Sequence, residues 1–142
     1  MTIDPANLDS SSLVSRVRAI LLQPQQAWDE IAREPVERDV LRSYAVPLAA
    51  FSALCVTIGL VFFKWGAGGF LSQLNPVQAL ISGVFHFATL LIFVVALARV
   101  LDALAPSFGA AKNPENALRL SVYASTAAMA SGVFALHPSL GI

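Results

Sequence analysis

Hydrophobic positions along the chain fall into two regimes, helically spaced before residue 44 and nearly continuous after it. In the first regime Leu13, Val14, Val17, Ile20 and Leu21 share one helical face, and Ser12, Ser15, Arg16 and Arg18 fall largely elsewhere. Pro24 can open a second short helix in which Trp28 and Ile31 share a face, and Pro35 ends it. Val36, Val40, Leu41 and Tyr44 then repeat the spacing. None of these pieces is long enough to cross a bilayer.

In the second regime residues 43–63 form 21 uncharged positions, about 31 Å of helix against a hydrocarbon core of about 30 Å. Pro47 sits near the start, where a missing backbone N–H matters least, so the span is expected over about 47–63 with 43–46 at the interface. The linker that follows holds three glycines, and Trp65 beside Lys64 suits the headgroup boundary. Residues 77–98 are a second uncharged run of spanning length, opened by Pro76 and closed by Arg99. A third run, about 120–136, is rich in Ala, Ser and Gly and would insert only marginally alone. It carries Ala124, Ala128 and Gly132 at i, i+4, i+8, a small-residue stripe on which another helix can approach closely. The pattern therefore predicts an all-α integral membrane protein: interfacial amphipathic helices over 1–42, then about three transmembrane helices within 43–142.

Composition sharpens this picture. Of 142 residues, 56% are apolar and 13% charged, about half the charged share of a soluble domain. Five of nine Lys and Arg and seven of nine Asp and Glu precede residue 43. The formal net charge is zero, and no basic cluster, zinc spacing or glycine-rich phosphate loop occurs, which argues against nucleic acid and implies no cofactor. Cys55 is the single cysteine and has no disulfide partner within the chain. The first residues lack the pattern of a cleaved secretory signal, so the N-terminal segment is expected to stay in the mature protein. Eight Lys and Arg flank the spans on the side of the N-terminus and the 99–119 loop, against one in the 64–76 linker. This bias places the N-terminus in the cytoplasm and the C-terminus on the far side.

The opening segment has an apolar face, a polar face and a tryptophan, the requirements of an interfacial helix. It is expected to lie flat on the cytoplasmic membrane surface or to fold back onto the cytoplasmic loop, with Trp28, Trp65, Arg16 and Arg18 as interfacial anchors. A partner groove would accept the same stripe. Asp29, Glu30, Glu34, Glu37 and Asp39 exclude a polybasic anchor.

The order of these features resembles the bacterial branch of the Yip family of Ypt-interacting integral membrane proteins. The resemblance rests on Arg16-Val17-Arg18-Ala19-Ile20-Leu21-Leu22, then Pro24, Trp28, Ile31 and Glu34-Pro35. It continues through Tyr44, Pro47-Leu48-Ala49, Leu104-Ala105-Pro106, Phe108-Gly109, Ala117-Leu118, Leu120 and Tyr123. It implies membrane placement and a helical bundle rather than a chemistry. Relatives form bundles of four or five spans, so three would make this chain a shortened member or a fragment. Eukaryotic relatives carry Asp-Leu-Tyr-Gly-Pro and Gly-Tyr motifs; their absence here counts against a Rab-type GTPase partner. A proline expected shortly after Tyr123 is replaced by Ser125-Thr126-Ala127.

His86 lies near the middle of the second span, where an ionisable group is a functional candidate by default. A neutral imidazole can relay a proton or ligate a metal or tetrapyrrole, with Gly83 one turn earlier leaving room for a flat ring. The alternative is a hydrogen bond to Ser52, Thr57, Ser125 or another span, and the lack of a second ligand favours it. No catalytic set of side chains appears, so no enzyme is expected. Three functions fit: a non-catalytic scaffold or accessory subunit packing against other membrane helices or itself, a small oligomeric transporter or channel component, and a lipid-surface organiser.

Overall fold

The computed structural model describes residues 10–33, 39–62 and 75–136, and these are helices joined by turns. Trp65 and the linker around it lie outside the described residues, as do Pro35, Val36 and His137.

Helices α1 (Ser10–Leu22) and α2 (Pro24–Arg33) meet at Gln23. Pro24 has no N–H to continue the ladder of α1. Gln23 bridges the joint: its amide donates to the Ala19 carbonyl at 2.8 Å, and its own carbonyl accepts from Ala27 at 3.1 Å. Ala27 and Ile31 are buried, and Leu13, Val17, Ile20 and Trp28 pack on the same core. That core contains Val40, Tyr44, Ala45, Leu48, Ala49, Val94, Val122, Tyr123 and Met129. The opening segment thus folds back, and it does so onto the bundle of long helices.

The first spanning helix starts earlier than Pro47. A π turn over Leu41–Ala45 leads into α3 (Val46–Phe62), with the Val46 amide donating to the Leu41 carbonyl. Pro47 cannot donate to the Ser43 carbonyl and its ring crowds that group, and the wider turn accommodates both. Together they make a helix of 22 residues, Leu41–Phe62, that includes the 43–46 segment expected at the interface.

Helix α4 (Pro76–Leu104) begins at a reciprocal cap. The Gln78 amide donates to Asn75 Oδ1 at 2.9 Å, and the Asn75 amide donates to Gln78 Oε1 at 3.0 Å. The helix runs past Arg99 to a 3-10 turn over Ala105–Phe108, and Gly109 ends it at φ 74°, where a side chain would be strained. Only Ala79, Gly83, Val94 and Ala98 of its 29 residues are buried. In α3 seven of 17 are. Helix α3 is the central member of the bundle and α4 an outer one.

The third segment is a chain of short pieces: α5 (Pro114–Ala124), α6 (Thr126–Ala130) and a 3-10 stretch over Ser131–Leu136. No piece alone has spanning length. Ser125 interrupts it, its hydroxyl donating to the Ser121 carbonyl at 2.7 Å beside the backbone bond between the same residues. Such back-bonding bends helices. The pieces nonetheless keep a direction. Thr126 meets Tyr44, Gly132 meets Ser52 and Ala135 meets Gly59, so the segment runs alongside α3 in the same sense. From Tyr44 to Gly59 that path covers about 22 Å of the first spanning helix.

Candidate functional site

Three elements converge midway along the bundle. Ser52 of α3 is fully buried and His86 of α4 half-buried, with Ser52 Oγ 3.1 Å from His86 Nε2. Either group can donate, according to the imidazole tautomer. In apolar surroundings each supplies the other's hydrogen bond, which water cannot. Gly132 closes the site from the 3-10 stretch; a Cβ there would stand 2.7 Å from Ser52 Cα. Gly83 is where α4 crosses α3, facing Thr57, whose hydroxyl donates to the Ala53 carbonyl at 2.8 Å. The crossings rely on absent side chains.

A serine hydroxyl within reach of an imidazole is half of an activated nucleophile. Here Ser52 has no exposed surface, and the Gly132 backbone covers it. The bond fastens α3 to α4. Among the described residues no group of three or more His, Cys, Asp or Glu could hold a metal ion.

A second cluster ties the opening segment to the bundle. Tyr44 Oη lies 3.0 Å from Thr126 Oγ1, both residues buried. The Tyr44 and Tyr123 rings meet edge to face, centroids 5.0 Å apart at 68°. The Arg16 guanidinium stands 5.6 Å from the Tyr123 ring centroid, so α1 is clasped to α5 through a cation–π contact. Such contacts contribute about 0.5–2 kcal/mol.

The residues singled out from the sequence are distributed unevenly over this architecture. Arg16 turns inward to Tyr123, while Arg18 is exposed. Trp28 is half-buried against the core. Gly132 is buried, whereas Ala124 and Ala128 are exposed. The break at Ser125 and the tighter winding after Ala130 are why i, i+4, i+8 positions do not hold one face. The close-packed small-residue stripe lies on the first spanning helix instead, at Ala45, Ala49, Ser52, Ala53 and Gly59. Arg99 is exposed, and Asp102 Oδ1 is buried without a hydrogen-bond partner. The joining role of Thr126 was not apparent from the sequence. The signal available was that the chain has only two tyrosines, Tyr44 and Tyr123, each beside an apolar run and each needing a partner for its hydroxyl if buried.

Among the described residues two helices, Leu41–Phe62 and Pro76–Phe108, are long and apolar enough to cross a bilayer, and with the other helices packed on them they make an all-helical integral membrane protein. The family model of the Yip1 domain matches residues 18–140, and the chain belongs to that family. No curated protein and no solved structure matches it.

Proposed function

We propose that this chain is a non-catalytic scaffold or accessory subunit of a bacterial cytoplasmic membrane, packing against the helices of partner proteins or of its own copies. The observation that carries this reading is the wide exposed side of α4, a helix of spanning length with only four buried residues. Its outer face presents Leu80, Ile81, Val84, Phe85, Ile92 and Phe93. Ala124 and Ala128, exposed and small, offer a second surface on which a foreign helix can come close. Tyr44 with Thr126 and Ser52 with His86 are paired across the bundle's own helices, which favours assembly over transport through this chain alone.

Extraction from native membranes into lipid nanodiscs at natural abundance tests the proposal. A stoichiometric partner chain, or more than one copy per particle, is the expected result. Ala128→Leu should release it while leaving thermal stability unchanged, because Ala128 is exposed. A particle holding one copy and lipid alone would overturn the reading.

A further inference from the structure

Helix α1 carries two apolar faces, and the bundle uses one. Leu13, Val17 and Ile20 pack against the core, and Arg16 reaches Tyr123. Val14, Leu21 and Leu22 stay outside, 63%, 45% and 67% exposed, with exposed Arg18 among them. At helical spacing these four positions share a sector of about 100°. We propose that this outer edge of α1 inserts into the headgroup–acyl boundary of the same bilayer that the long helices span.

Depth identifies lipid as the occupant. The core on which α1 rests includes Tyr44, Ala45, Leu48 and Ala49 of the first spanning helix. Those residues lie about 5–12 Å from the helix's beginning at Leu41. An interfacial helix buries its apolar face about 5–10 Å into the boundary region. Helix α1 is therefore braced at the level where its free edge meets lipid. Its composition fits that level: Arg18 can extend its stem along the apolar surface and hold its charge at the phosphates. Helix α2 differs, for its outward residues Gln25, Gln26, Asp29, Glu30 and Arg33 are exposed and polar, and they face water. The bilayer thus takes one edge of one helix.

The test uses the full chain, with Cys55→Ser, in phosphatidylcholine vesicles. Nitroxide labels go one at a time onto Val14→Cys, Leu21→Cys, Leu22→Cys and, as a water-facing reference, Glu30→Cys. These positions are exposed, so labelling leaves the core intact. Collision rates are measured with oxygen, which concentrates in lipid, and with a water-soluble nickel chelate. Labels at 14, 21 and 22 should favour oxygen severalfold, and the label at 30 should favour nickel. Preference for nickel along the edge would show that it faces water and overturn the proposal. Low collision rates with both would show a protein cover and overturn it equally.

Discussion

Removing one end of the Ser52–His86 bond leaves the other without a partner in a dry interior. Hydrogen bonds between membrane helices contribute about 0.6 kcal/mol on average and up to about 1.7. His86→Ala and Ser52→Ala should each lower stability by about that amount, and the double variant by less than their sum. Reversible unfolding in mixed micelles measures this, and strict additivity would mean that the bond contributes nothing. The glycines rank by what their new Cβ would strike. At Gly59 it would overlap the Ala135 carbonyl, with the carbonyl carbon at 2.9 Å; backbone cannot rotate away. At Gly83 it meets the Thr57 hydroxyl, a side chain that can turn, and the nearest backbone atom is 3.3 Å away. Gly59→Ala should therefore lower the unfolding midpoint more than Gly83→Ala, the first by about 1–3 kcal/mol of overpacking. The opposite order would show that the α3–α4 crossing is the tighter one.

Helices α1 and α2 were legible because their apolar stripes report directly on which face is covered. Ile31 and Val17 face the core for the same reason that they recur at helical intervals. What periodicity could not report is what covers them, lipid or protein, since the stripe looks alike against either. That depends on Tyr44 and Tyr123, contributed by segments far apart in the chain. Loss of the clasp in Arg16→Ala should loosen α1 by about 0.5–1 kcal/mol, read as faster amide exchange over residues 13–22 with α4 unchanged. Arg16→Lys should restore part of it; equal exchange in all three proteins would assign the docking to apolar contacts alone. The third segment was least legible. Composition marks it as apolar, but a break at Ser125 depends on one hydroxyl choosing the Ser121 carbonyl. The helix is interrupted within two residues of Tyr123, close to where a proline was expected. The π turn before Pro47 was hidden similarly: proline marks a disturbance without stating whether the chain stops or widens.

Across the whole molecule, the decisive relation is the register of the third segment against α3. Successive meetings at Tyr44–Thr126, Ser52–Gly132 and Gly59–Ala135 advance along both chains together. Nine residues of the third segment accompany fifteen of α3, and the 3-10 winding, at about 2.0 Å per residue, lengthens its reach. A broken segment can thereby accompany a regular helix for about half of a bilayer while its serines bond carbonyls of its own backbone. Ser121 donates to Leu118, Ser125 to Ser121 and Ser131 to Ala128. Charge adds a direction: eight Lys and Arg on the N-terminal and 99–119 side against one in the linker. The charge bias and this register together predict that cysteines at positions 25 and 112 label from one side of the membrane and cysteines at 73 and 139 from the other. Cysteines placed singly at these positions, with Cys55→Ser, should react with an impermeant maleimide in two groups accordingly. In intact cells, labelling should reach 73 and 139 and spare 25 and 112 until the membrane is opened. Reaction of 139 together with 112 would overturn both the crossing by the third segment and its register against α3, and reaction of 25 in intact cells would reverse the orientation.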